Sequence, residues 1–409
     1  MTKRTVVSTG ATLLAASLVM TGCGSRGGGD SSTTSGATGG SGGKVAKIGV
    51  IAPLTGNLSP LGLGIQHSVE LAVQEANANK TIPGWTLQVA PADDQATPDV
   101  GKNAATKLAG DDQVVGVVGT LNSSVALQVQ PVLAAGNITQ VSPANTNPDL
   151  TKDPKTMKRV YPTYFRTCTT DAIQGPFAAQ YLLGAGIKKI ATVNDKKAYG
   201  QGLVTAFEGE FKKGGGTIVS HQTINADDTT MDYSSVIAAI KPSAPEAVYY
   251  GGEYPQAGPL SQQMKTNGLA VPLMGGDGIF DPKYIELAGD KSDGDLATSV
   301  GAPTDSSDAG KAFLAAYEKA GFKDPSAAYG GYAYDAANAI IQALKVSLAS
   351  ASDAKSARQA TVTAMSSVSF DGVTGKVSFD EFGDATSKVL TVYKVTGGKW
   401  AAEKTGEFK

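Results

Sequence analysis

KIGVIA (47–52), IQHSVELAVQEANAN (65–79), TLQVAPAD (86–93), DVGKNAATKLAG (99–110) and QVVGVVGTL (113–121) follow one another along the chain. Short apolar runs alternate with amphipathic stretches, as strand–helix–strand units do. Within the first amphipathic stretch Ile65, Val69, Ala72, Val73 and Ala76 fall at i, i+4, i+7, i+8 and i+11, a single stripe to lay on a sheet. KVAKIGVIA (44–52), QVVGVVGTL and ITQVSPA (138–144) carry too few polar residues for strands with one wet face. Helices are therefore expected on both sides of a parallel sheet.

A second series begins after Arg166. Its helix-like stretches are AIQGPFAAQYLLGAG (172–186), GLVTAFEGEFKKGG (202–215), YSSVIAAIK (233–241) and PLSQQMKTNG (259–268); between them lie KKIATVND (188–195), TIVSHQTI (217–224), EAVYYGG (246–252) and VPLMGGD (271–277). The fold class is thus α/β, with two doubly wound parallel-sheet lobes and a ligand cleft beyond the carboxyl ends of their strands. Two more helices follow Val300, over 309–321 and 329–349. The chain closes on a hairpin turning at Gly397-Gly398, with Val389, Thr391, Tyr393 and Val395 alternating along its first arm. The sequence contains no repeat of fixed period.

Among 409 residues, 35 Lys+Arg stand against 37 Asp+Glu, a net charge of -2 that offers no excess to neutralise nucleic-acid phosphates. Two cysteines exclude a disulfide framework, and His67 and His221 alone do not assemble a zinc site. Gly62-Leu63-Gly64 lacks the third glycine of a dinucleotide fingerprint, and neither a P-loop nor a GxSxG elbow is present. Ser352-Asp353-Ala354-Lys355 matches SxxK without its partner motifs. Asp93-Asp94 and Asp380–Asp384 place carboxylates beside turn residues, where solvated turns are the default. Neither an enzyme nor a cofactor or metal is expected.

Residues 1–22 contain Lys3 and Arg4, then an apolar run from Ala11 to Met20, and read as a signal peptide. The run is about half the ~20 residues a spanning helix needs. Met20-Thr21-Gly22-Cys23 resembles a bacterial lipoprotein box, which implies cleavage before Cys23 and its lipidation. Residues 24–43 are nearly all Gly, Ser and Thr, a flexible tether reaching roughly 25 Å. The body is then exported and anchored to the outer face of the cell membrane.

Ten segments in order resemble the extracytoplasmic substrate-binding proteins of branched-chain amino-acid ABC transporters, the type I periplasmic binding fold. They are IAPLTGNLSPLG (51–62), ADDQATP (92–98), VGTLNSSVA (118–126), VSPANTNPDLT (141–151), YFRT (164–167), DKKAYGQGL (195–203), VYYGGEYPQAG (248–258), MGGDGIFDP (274–282), AAYGGYAYDA (327–336) and FDGVTGKVSFDEFGD (370–384). The resemblance implies three crossings between a lobe of 44–167 plus 301–375 and a lobe of 168–300 plus 376–409. It also implies a monomeric receptor that captures a branched-chain or related amino acid and delivers it to a membrane permease. A ligand sensor read by a signalling receptor, or a receptor for another small amine or amide, would use the same body.

Asn122-Ser123-Ser124 follows a strand and opens a helix at Val125, so the Ser123 hydroxyl and nearby N–H groups lie at a positive helix end suited to a carboxylate. After the next strand, the Ala144 carbonyl and Thr146 hydroxyl can meet an ammonium and the Thr146 amide a carboxylate. The resemblance assigns the amino-acid head group to Ser123, Ala144 and Thr146, and pairs the ammonium with Asp277 of GGDG. It places Tyr199 and Tyr329 around the ligand, with Leu61 over its side chain. Glu253 stands where relatives often carry an aromatic residue; inside the cleft it favours a ligand with a second positive or donor group, whereas at the surface it would be solvated. Two positions that are cysteines in some relatives are Ala96 and Asn122 here, which leaves Cys168 unpaired, a buried thiol.

Overall fold

The computed structural model describes residues 43–227 and 230–408. The signal peptide, Cys23 and nearly all of the tether lie outside the described residues. The chain opens with β1 (Lys44–Ala52), α1 (Ser59–Ala78), β2 (Trp85–Asp93), α2 (Pro98–Ala109), β3 (Val114–Gly119), α3 (Ser123–Ala135), β4 (Thr139–Ser142) and β5 (Tyr164–Arg166). The five strands form one parallel sheet in the order β2-β1-β3-β4-β5. Their apolar residues serve both faces. Ile48 and Val50 pack among the α1 residues Ile65, Val69 and Ala72, while Ile51, Val114 and Val117 pack among Ala105, Leu108, Val125 and Val129 of α2 and α3.

The second series supplies α4 (Asp171–Gly184), β6 (Lys189–Asn194), α5 (Ala198–Lys213), β7 (Thr217–Thr223), α6 (Ser234–Ile240), β8 (Ala247–Gly251), α7 (Tyr254–Thr266), β9 (Leu273–Gly275), α8 (Pro282–Ala288) and β10 (Leu296–Ser299). They are followed by α9 (Asp308–Ala320), α10 (Gly330–Ser347), α11 (Ala354–Met365), a small ladder of β11 (Ser369–Gly372) and β12 (Gly375–Ser378), and the hairpin β13 (Val389–Thr396) and β14 (Lys399–Glu407). Helices α9–α11 return to the first sheet, packing on α1, β3 and β4. The second sheet has the order β14-β13-β10-β9-β8-β6-β7. Three crossings therefore join the lobes, after β5, after β10 and after β12.

The order β7-β6-β8-β9-β10 reproduces β2-β1-β3-β4-β5 element for element, so the topology repeats although the sequence does not. In each lobe the strand order reverses between the first and third strands, the switch point where doubly wound sheets take ligands. The hairpin turns where expected, with Thr396 opposite Lys399 and positive φ at Gly397 (+58°) and Gly398 (+74°), a pair of conformations that glycine adopts freely.

Strands β5 and β10, helices α8 and α11 and the β11–β12 ladder are additions to the sequence reading. LATS is short and half polar, and takes its strand geometry from neighbours on both sides. The SxxK match is the start of α11: Asp353 Oδ1 accepts from Ser356 N at 2.8 Å in a capping box. Asp380 likewise caps its own loop, accepting from the amides of Phe382 (2.8 Å) and Asp384 (2.9 Å).

Asp94 departs from the expected solvated turn. It is fully buried, one carboxyl oxygen accepts from Ala96 N at 2.9 Å and the other has no partner. Burial is the main reason its carboxyl is pushed up to about 7, with the charge of Asp93 a smaller one. The folded state holds this proton more tightly than the unfolded chain, so the contribution is complete below about pH 4 and is lost as pH rises to about 7. Asp94→Asn cannot ionise; relative to it, the unsubstituted protein should lose about 1.4 kcal/mol of stability per pH unit across that window. Chemical denaturation of both at pH 5 and pH 8 measures the difference, and parallel curves would show that Asp94 does not titrate there.

Candidate functional site

Seven residues singled out in the sequence line one interlobe cavity: Leu61, Ser123, Ala144, Tyr199, Glu253, Asp277 and Tyr329. Each stands at or just beyond the carboxyl end of a parallel strand or in the first turn of a following helix, apart from Tyr329, which precedes α10. Asn122, at the N-cap of α3, and Leu121 and Gly278 complete the wall. The cavity measures about 10 Å³, room for about one water molecule, so a solute enters only as the lobes separate.

The loop after β4 is shaped by Ser142 Oγ, which accepts from Ala144 N (3.1 Å) and Asn145 N (2.8 Å). It sets Ala144 at the cavity but carries Thr146 behind the wall. Thr146 is fully buried, and its carbonyl accepts from Asp171 N at 2.8 Å. Thr146, expected at the ligand, is thus not among the residues that line this closed cavity. Arg166, also fully buried, fixes the same loop from below. Its Nη1 donates to the carbonyls of Asn145 (2.6 Å) and Asn147 (3.0 Å), Nη2 to Thr151 Oγ1 (2.7 Å), and Nε to Asp384 (2.7 Å).

Asp277 is only 3% exposed, unlike a solvated turn residue. Its Oδ1 accepts from Tyr199 Oη (2.8 Å) and Gln174 Nε2 (2.9 Å), and its Oδ2 accepts from Tyr329 Oη (2.8 Å) across the cleft. Burial pushes the Asp277 carboxyl upward and these donors oppose it. Burial also raises both tyrosines, which remain hydroxyl donors. A carboxylate accepts about four hydrogen bonds, so three donors leave one site for an ammonium. Gln174 was not legible in the sequence; only the fold shows that this α4 residue turns toward β9, where its Oε1 also receives Asp277 N at 2.8 Å.

Glu253, the N-cap of α7, is 5% exposed, which overturns its reading as a surface residue. Asn122 Nδ2 of the other lobe donates to its Oε1 at 2.7 Å. The preceding Gly252 has φ +152°, and a Cβ there would come within 2.3 Å of Tyr250 Oη and 2.9 Å of Asp195 Oδ2. Only glycine lets the chain pass these buried polar groups to present Glu253. Further bonds close the cleft: Ala198 N donates to Ser124 Oγ (3.1 Å), Asn147 Nδ2 to the Ala198 carbonyl (2.8 Å), and the Tyr254 hydroxyl to the Asn57 carbonyl.

Cys168 is a free, buried cysteine beside the first crossing, and burial raises its thiol far from reactivity. Among the described residues no cluster of His, Cys, Asp or Glu could hold a metal ion, and no helix is long and apolar enough to cross a membrane.

Comparison with known proteins agrees with this fold. A family model described as periplasmic binding protein matches residues 45–399. The chain is 34% identical over 356 residues to the Leu/Ile/Val-binding protein BraC3 of Rhizobium johnstonii, covering 87% of this chain and 93% of that protein. It is 31% identical to Leu/Ile/Val-binding protein homolog 3 of Brucella melitensis, over 86% and 92% of the two chains. A solved relative, the branched-chain amino acid transporter substrate binding protein LivJ of Streptococcus pneumoniae in complex with isoleucine, is 26% identical, with a TM-score of 0.78 over 89% of this chain and all of that one. A match that runs through both sheets and all three crossings shows that the chain belongs to the periplasmic binding protein family, whose members bind substrates for ABC transporters and are not enzymes.

Proposed function

We propose that this protein captures an α-amino acid in its interlobe cleft, closes over it and presents the closed form to an ABC permease in the membrane. One observation carries the reading. The amino end of α3, with Ser123, and the buried Asp277 line the same cavity from opposite lobes, a positive and a negative wall that would suit the two ends of a zwitterion. The related Leu/Ile/Val-binding proteins support an amino-acid ligand, branched-chain or similar. Residues 44–167 plus 301–375 and 168–300 plus 376–409 would move as two bodies about the three crossings. Open and closed states then differ by a few kcal/mol, and contacts to both lobes shift the population. Lipidated Cys23 would hold the monomer at the outer face of the membrane through the tether.

Uptake of labelled amino acid by cells lacking the protein should fall to background and return with the unsubstituted chain. Undiminished uptake in the deletion strain, with binding intact in the purified protein, would reassign the closed form to a signalling receptor.

A further inference from the structure

Hydrogen-bond acceptors crowd the side of the cleft around Glu253. Asp195, 2% exposed, accepts from Lys197 N at 2.9 Å through Oδ1; burial first and the Glu253 charge second push its carboxyl up to about 8, so near neutral pH it carries a proton that it can share with Glu253. Asn122, 4% exposed, must turn Nδ2 toward Glu253, since a carboxylate only accepts; its Oδ1 at the cavity wall is then an acceptor without a partner. The neighbouring donors are committed elsewhere: Tyr199, Tyr329 and Gln174 all serve Asp277. The buried Tyr250 hydroxyl beside Gly252 brings one donor, fewer than the acceptors around it. The nearby cation Lys197 reaches outward, its Nζ 3.9 Å from the exposed Asp227.

Resting on the amino-acid reading above, we propose that the ligand's side chain ends in a hydrogen-bond-donating nitrogen received by Glu253 and Asn122 Oδ1, both of which line the cavity. An apolar side chain would seal these acceptors away from water without replacing their hydrogen bonds, a loss greater for the charged group than for the neutral one. A terminal ammonium, guanidinium or amide brings between two and five donors to the same place.

Titration calorimetry with lysine, arginine and glutamine against leucine, isoleucine and valine tests the assignment. At least one nitrogen-terminated ligand should bind about 30-fold or more tightly than the best apolar one. Glu253→Leu should erase most of that preference while leucine binding persists, and Glu253→Gln, which keeps the side chain's shape, should lower it partway. The proposal is overturned if the apolar ligands bind more tightly than all three, or if both variants keep the original ranking; the amino-acid reading then survives. Absence of binding by every α-amino acid would remove both together.

Discussion

Replacing Asp277 by alanine should weaken amino-acid binding by about 100-fold or more while the protein remains folded. The substitution removes the negative wall of the cavity and leaves Tyr199, Tyr329 and Gln174 without their common acceptor. Truncating one member of a buried charge pair costs about 2–5 kcal/mol of binding, of which 100-fold is about 2.7. The lobes keep their own cores, because none of the three donors depends on Asp277 for its place in a helix or strand. Asp277→Asn separates charge from shape: it preserves the side chain's outline but not its charge, and should lose most of the same affinity. Calorimetry with a ligand of the unsubstituted protein measures both variants. Affinity within about threefold for Asp277→Ala would take this residue out of the site.

The largest loss of stability is expected at Arg166. Arg166→Met would strand the carbonyls of Asn145 and Asn147 and the Asp384 carboxylate, three of the four acceptors that one guanidinium now satisfies across β5, the loop after β4 and the third crossing. Removing one partner of a buried pair costs about 3–5 kcal/mol. For lobes of this size that is a fall of about 10 °C in Tm. Asp384→Asn keeps an amide oxygen for Nε but leaves the fully buried guanidinium without its carboxylate, so it should destabilise as well. Ligand affinity should fall for Arg166→Met as well, since the same loop sets Ala144 at the cavity. Thermal unfolding measures both variants, and equal small shifts would mean that the buried arginine is not what fixes the loop.

The inner strands of both sheets, such as β1, β3, β6 and β8, were legible because they are buried on both faces and therefore largely apolar, while the first helix shows its apolar stripe. The missing pieces lacked that signal. β10 is four residues long with Thr298 and Ser299 at its end, and becomes a strand only between β9 and β13. In the site, residues that follow strands directly, such as Ser123, Glu253 and Asp277, could be placed from the switch-point rule together with the family resemblance. Gln174, Asn122 and Asp195 could not, since what matters in each is the direction of a polar atom inside a packed wall. Thr146 shows the limit from the other side: it stands in the right loop, but behind the wall of the closed cavity.

The most direct test of amino-acid capture is titration of the purified protein with the tightest-binding α-amino acid and with two analogues of it, one lacking the amino group and one lacking the carboxylate. The account expects one-to-one binding of the parent and a loss of about 100-fold or more for each analogue, since Asp277 and the amino end of α3 each lose their partner. Full affinity for either analogue, or no heat with any α-amino acid, would contradict it.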